Sequence, residues 1–260
     1  MICCGYNSVM SIIKVQNLKK SYKEFEAVRG VNFEVLQGEV FGLLGPNGAG
    51  KTTIVEILEG LRKPSSGDAI INGLNINTDA KSIKKIIGVQ LQSVNFFEML
   101  SLYEIVELFA LLYETAIDPL HILDRVGLLE KKDARFKELS GGQQQRLSIA
   151  VALVNDPVIL FFDEPTTGLD PQARRNMWEL IQSFQSDGKT IMLTTHYMEE
   201  AETLCNRVAI IDEGKIIRID TPSNLIDELM QSGFESNKEI RGATLEDVFI
   251  NLTGKSLRED

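Results

Sequence analysis

Three observations on this 260-residue chain predict an α/β fold with a mostly parallel sheet and an inserted helical block. Short apolar runs alternate with helical patterns, the order that builds parallel strands through crossover helices. One run, residues 158–162, is five consecutive apolar residues, the mark of a strand covered on both faces. Between residues 95 and 154, helical periodicity dominates instead.

Residues 1–9 do not resemble the rest of the chain, and a cleaner strand pattern begins at Met10. Residues 1–11 are therefore expected to be an N-terminal extension, with Met10 the native start. Strands are expected at 12–15, 31–35 and 40–44, punctuated by Gly30 and Gly38. Gly45–Gly50 then opens a helix over 51–61. Pro64-Ser-Ser-Gly67 reads as a turn, 69–71 as a strand, Asn72-Gly73 as a hairpin turn and 86–91 as a further strand. In the helical block, Ser101-Leu-Tyr-Glu104 is a capping box. Leu102, Ile105, Val106, Phe109 and Leu112 recur at helical spacing, and this stripe, through Tyr113, reads as core. A second helix is expected at 119–129. A third runs from Ser140 to Val154, stopped by Asp156-Pro157. Asp170-Pro171 caps a helix that Asp187-Gly188 closes. Strands at 191–195 and 208–211 flank a helix at 197–204. In the tail, 221–260, Leu245, Val248, Phe249 and Leu252 fall at i, i+3, i+4 and i+7, an amphipathic helix expected to pack back on the core.

Composition narrows the function classes. Hydrophobic residues are 43% and charged residues 25%, ordinary for a globular protein. The net charge of −10 opposes binding to phosphate backbones, so nucleic acid is not an expected partner, and any polyanionic ligand needs a local device. Cys3, Cys4 and Cys205 make neither a disulfide framework nor a CxxC metal pair, which suits a reducing compartment. No apolar run approaches the ~20 residues that span a bilayer, and residues 1–9 lack the basic start of a signal peptide.

Gly45-Pro46-Asn47-Gly48-Ala49-Gly50-Lys51-Thr52 matches G-x-x-x-x-G-K-[ST] between a strand and a helix. Its glycines let successive N–H groups turn inward around phosphates, and the helix presents its positive end to them. Lys51 reaches the β/γ-phosphates and the Thr52 hydroxyl can bind Mg²⁺. The buried run at 158–162 delivers Asp163 towards that Mg²⁺, with Glu164 next in line to polarise an attacking water. No Asn-Lys-x-Asp guanine motif is present.

Leu139-Ser-Gly-Gly-Gln-Gln-Gln-Arg146 distinguishes among phosphate-loop families, and here the chain resembles the ATP-binding cassette of ABC transporters. The resemblance covers about residues 12–215. It implies a P-loop core with an N-terminal antiparallel β subdomain, an inserted helical subdomain at about 95–154, a cassette spanning 12–220 and ATP with Mg²⁺ as ligands. Ser140, Gly141, Gly142 and Gln143 match the signature that caps the γ-phosphate held by a second cassette. Gln92 matches the Q-loop glutamine near Mg²⁺, Thr167-Gly-Leu-Asp170 the D-loop and His196 the switch histidine; His121 matches nothing. Tyr22, ahead of Ala27-Val28, matches the aromatic on which adenine stacks, so Tyr22, Val28 and Thr53 join the implied nucleotide-binding set. The segments Ala243–Gly254 and Thr194–Glu202 look like those of drug-resistance-type exporter ATPases, whose permease is a separate chain of the ABC-2 class. The resemblance therefore implies a peripheral subunit at the cytoplasmic face of the cell membrane, working with permease subunits and a second cassette. An importer ATPase, or a soluble cassette such as an iron–sulfur assembly ATPase, remains as the alternative. DNA-repair members carry zinc cysteines and translation members two cassettes, and this chain shows neither.

Overall fold

The computed structural model describes residues 10–90, 96–232 and 244–253. The expectations for residues 1–9 and for Gln92 lie outside the described residues. β1 (Ser11–Tyr22) turns back into β2 (Phe25–Leu36), and β3 (Val40–Leu44) leads through the glycine loop to α1 (Lys51–Leu58). β4 (Ser66–Ile71), β5 (Leu74–Asn75), α2 (Ala80–Ile86) and β6 (Ile87–Gln90) follow. The helical block holds α3 (Leu102–Leu112), α4 (Pro119–Arg125) and α5 (Gly141–Ala152). β7 (Ile159–Asp163), α6 (Pro171–Ser186), β8 (Thr190–Thr195), α7 (Met198–Leu204), β9 (Arg207–Asp212), β10 (Lys215–Asp220), α8 (Pro222–Gln231) and α9 (Leu245–Thr253) complete the order.

The strands make two sheets. One is antiparallel, ordered β2-β1-β4-β5; the other is ordered β10-β9-β3-β8-β7-β6 and is parallel except where β10 meets β9. Every residue of β3, β7 and β8 is buried. Successive side chains point to opposite faces, so Phe41, Leu43, Phe161, Met192 and Ala209 pack with α1 and the antiparallel sheet. Val40, Leu44, Phe162, Leu193 and Ile210 pack with the helices on the other face. Two covered faces explain the unbroken apolar runs. Burying each large side chain contributes about 1.5–3 kcal/mol relative to exposure, and the Phe33 and Phe41 rings, 5.5 Å apart and stacked, join the two sheets.

Differences from the sequence expectations have local causes. The first hairpin is far longer than 12–15 and 31–35, because register shifts near Val15 and Leu18 break the alternation that marks a strand. Its turn contains no glycine; Lys23 takes φ 54° itself. At the second hairpin, Asn72 (φ 48°) and Gly73 (φ 80°) form the expected primed turn. α2 and β10 were not expected: α2 buries only Ile83, and β10 is a largely exposed edge strand, whereas α8 falls within the expected helical tail. The expected helix 119–129 ends at Arg125, with a separate short turn of 3-10 helix at Leu129–Lys131. Leu102, Ile105 and Val106 are core, but Leu111, Leu112 and Tyr113 at the end of α3 are exposed. Likewise α9 buries Leu245, Val248 and Phe249 against α7 and α8 and leaves Leu252 exposed.

Candidate active site

The loop from β3 to α1 is held where only glycine fits. A Cβ on Gly45 would lie 2.2 Å from the Ile211 carbonyl oxygen, and one on Gly50 2.5 Å from that of Ala27. Gly48 (φ 80°) and Gly50 (φ 101°) lie in the left-handed region, the geometry that turns neighbouring N–H groups into a concave anion nest. No side chain caps α1 and no acidic residue sits in its first turn. Its amino-terminal N–H groups are therefore open to an anion. Lys51, buried at 4% exposure, donates from Nζ to the carbonyls of Gly45 (2.7 Å) and Pro46 (3.0 Å) and lies 3.9 Å from Glu164. Burial pulls its pKa down, while Glu164 and Asp163 act in the opposite sense.

β7 carries Asp163 to the mouth of this loop. The Thr52 hydroxyl lies 3.4 and 3.5 Å from its two carboxylate oxygens, and the Thr194 hydroxyl donates to it. Burial raises the Asp163 pKa, and the Thr194 and Thr52 hydroxyls counteract this. Glu164 adopts φ 50°, uncommon for any residue but glycine. Its N–H is fixed on Thr194, 3.2 Å from the carbonyl and 3.1 Å from the hydroxyl. Its carboxylate meets His196 Nδ1 at 3.2 Å and accepts from the Thr167 hydroxyl at 3.1 Å. The His196 contact is the main cause of its lowered pKa, with Lys51 and Thr167 acting the same way against burial. The fold supplies an ionised, acceptor-only carboxylate facing a lysine and an imidazole.

A cavity of about 620 Å³ joins these groups, lined by Asn47, Gly48, Gly50, Lys51, Thr52, Thr53, Glu164 and His196, with Tyr22, Phe25, Ala27 and Thr167. Tyr22 and Phe25 are register partners flanking the hairpin turn, so they share one face of the sheet. The Tyr22 ring has Lys20 Nζ at 5.3 Å and the Arg62 guanidinium at 5.7 Å from its centre. The Val28 side chain is fully buried in the core, and Ala27, before it in the strand, stands on the cavity wall. Ala49 is also core.

Ser140–Gln143 stand elsewhere. Ser140 caps α5, its hydroxyl accepting from Gln143 N–H (3.4 Å) while Gln143 Oε1 accepts from Ser140 N–H (3.0 Å). Neither they nor Asp170, which caps α6 through Gln172 and Ala173 N–H groups, line the cavity. Sequence reasoning named Thr167 and Thr194 only as parts of motif segments, without their contacts to Glu164 and Asp163, and passed over Phe25, which carried no motif.

The glycine loop on a helix start after β3, with an acidic pair at the end of β7, one strand removed in the same sheet, defines a P-loop nucleoside-triphosphate hydrolase. The ABC transporter family profile matches residues 28–167. The Nod factor export ATP-binding protein I of Cupriavidus metallidurans is 44% identical, covering 84% of this chain and 73% of that protein. Among solved structures, an ATP-binding subunit of an ABC transporter is 27% identical with a TM-score of 0.80, over 94% of this chain and all of that one. A dimeric post-hydrolysis cassette bound to ADP and Pi is 31% identical with a TM-score of 0.72, over 80% and 98%. The chain belongs to the ATP-binding subunits of ABC transporters. Such subunits bind and hydrolyse ATP, pair with each other and serve membrane permease subunits.

Proposed function

We propose that this chain is the ATPase of an exporter, energising a separate transmembrane permease from the cytoplasmic face of the membrane. The cassette is taken as residues 12–220, with the helical subdomain at about 95–154 and 221–260 as tail. The observation that carries the reading is the meeting of Lys51, Glu164 and His196 in one cavity beside an exposed aromatic, with Ser140 outside it. Export is supported by relatives named for it. Among the described residues no helix is long and apolar enough to cross a membrane, and the separate permease follows from the resemblance to drug-resistance-type exporter ATPases.

The donors suit Mg²⁺ carried on phosphates. Thr52 and Asp163 offer oxygen only, and among the described residues no cluster of three His, Cys, Asp or Glu forms a cage. Mg²⁺ takes one or two protein carboxylates and keeps its remaining positions for water and phosphate. Thr52, Asp163 and Gln92 would hold it, and when bound it neutralises phosphate charge. Lys51 exchanges its carbonyl partners for the β/γ-phosphates, while the loop N–H groups fix the α/β end. Glu164, ionised, accepts a hydrogen bond from the attacking water and aligns it with the γ-phosphorus. His196 steadies both Glu164 and the terminal phosphate. Two cassettes meet head to tail, so each site is completed by the partner's Ser140 and the partner's Gly142, and Asp170 crosses the interface.

Co-expression with a candidate ABC-2-class permease tests transport. The chain is expected to sediment with membranes only when that permease is present; ATPase that stays in the supernatant overturns the transport reading. ATP-driven uptake of the permease's substrate into inside-out vesicles is the expected sign of export. The adenine platform has its own test. Tyr22→Ala is expected to raise KM for ATP about three- to tenfold, the worth of one aromatic stack. Tyr22→Trp should hold KM near the starting value. Equal losses from both would assign Tyr22 to packing.

A further inference from the structure

His196 stands between β8 and α7, and its place against Glu164 is set from behind. The ring of Tyr197 lies 4.2 Å from the imidazole, centre to centre, tilted by 40°. The Arg174 guanidinium lies 4.7 Å from the centre of the Tyr197 ring. Arg174 Nε is buried and has no hydrogen-bond partner among the described residues, so the aromatic face, rather than a bond at that nitrogen, receives the side chain. Arg174 belongs to the first turn of α6 and donates its N–H to the carbonyl of Asp170, the residue that caps this helix. One turn further along α6, Trp178 donates from Nε1 to Glu200 (3.2 Å). Glu200, fully buried on α7, also accepts from the Thr166 hydroxyl (2.8 Å). Thr167, next in the chain, holds Glu164. The contacts close a ring from Glu164 through His196, Tyr197, α6, Glu200 and the 166–167 loop back to Glu164.

We propose that Arg174 and Tyr197 are positioning residues, a cation and a ring that set where His196 stands and tie it to the helix headed by Asp170. The proposal rests on the reading of His196 and Glu164 given above and deepens it. Neither residue reaches the cavity, so nucleotide affinity is not theirs to set. Their effect is on alignment, where a displacement of about 1 Å is enough to slow a reaction strongly. Because Asp170 heads the same helix, an approaching second cassette pushes on α6 and reaches the histidine through two side chains. Arg174 and Tyr197 are both partly exposed, so replacing them leaves the core intact.

Steady-state ATP hydrolysis by the full chain, with melting temperature followed in parallel, tests this. Arg174→Ala and Tyr197→Leu are each expected to lower kcat about five- to tenfold, the loss of one half-buried cation–ring contact, with KM for ATP within about twofold. Tyr197→Phe keeps the ring and should keep kcat. The Arg174→Ala/Tyr197→Leu double variant should be no slower than the worse single variant, because both remove one contact. Multiplying losses, a Tyr197→Phe as slow as Tyr197→Leu, or singles that turn over at the unaltered rate all overturn the proposal. So does a loss that tracks a fallen melting temperature. His196→Ala separates the two levels. If it retains full turnover, the switch assignment fails; if it is inactive while both single variants are fast, the positioning proposal alone fails.

Discussion

Lys51→Ala is expected to abolish ATP turnover, lowering kcat by on the order of a hundred- to a thousandfold, as when one preorganised charge donor is removed from a transition state. Lys51 is the only lysine or arginine lining the cavity among the described residues. The whole chain carries a charge of −10, so the field around the site repels the triphosphate that must enter it. Loop amides and the α1 terminus attract the phosphates through partial charges, but only the Nζ group brings a full positive charge that can move with them. In the structure this ammonium is held by two carbonyls and by Glu164, partners it can release when phosphate oxygens arrive. The same substitution also removes the cation nearest Glu164 and takes away one support for its ionised form. Phosphate release measures the rate, and equilibrium titration with ATP measures how much binding survives on the amides. Turnover within about tenfold of the starting rate would remove the P-loop from the mechanism.

The phosphate loop was legible because its chemistry leaves little choice of residue. Gly45 and Gly50 are dictated by backbone atoms 2.2 and 2.5 Å from any Cβ, and Lys51 and Thr52 belong to a motif whose spacing follows from phosphate and Mg²⁺ chemistry. The buried strands were legible for a similar reason, since two covered faces demand apolar side chains at every position. The first hairpin was not, because its register shifts and its Lys23 turn leave no period and no glycine to read. Leu112 and Leu252 show the limit of helical periodicity. It reports which face an apolar residue shares, and at the end of a helix that face can run past the neighbours that cover it, as the exposure of both residues among the described residues shows. Val28 and Ala27 show the matching limit in a strand, where one position separates cavity from core and spacing alone does not place Ala27 on the open side. The left-handed backbone of Glu164 was also invisible. It depends on Thr194, a residue on another strand, taking the Glu164 N–H with both its carbonyl and its hydroxyl.

Glu164→Gln is expected to convert a monomer into an ATP-dependent dimer. The amide keeps the size of the carboxylate and still offers the Thr167 hydroxyl an acceptor, so the loop geometry survives. It accepts less strongly from water and carries no charge, so hydrolysis stalls with ATP in place. Under the head-to-tail arrangement, the closed pair then has no route to reopening. ADP should leave the variant monomeric, and size-exclusion chromatography with light scattering reads the difference directly. Two surfaces that each begin at −10 repel one another, so the dimer should strengthen as salt rises and the Debye length falls below about 10 Å. Adding Ser140→Arg supplies the decisive contrast. Ser140 is exposed at the start of α5 and lies outside its own chain's cavity, so a bulky replacement there leaves ATP binding through Lys51 intact. Losing the cap costs about 1 kcal/mol, which α5 tolerates because Leu147, Ile149 and Ala150 hold it in the core. The guanidinium then fills the place where the partner cassette's γ-phosphate must sit. The double variant should bind ATP as tightly as Glu164→Gln alone and remain monomeric. Dimers formed equally well by both variants would show that Ser140 does not complete a site across the interface. A Glu164→Gln chain that stays monomeric at saturating ATP, and also when reconstituted with the permease, would remove the two-cassette arrangement itself.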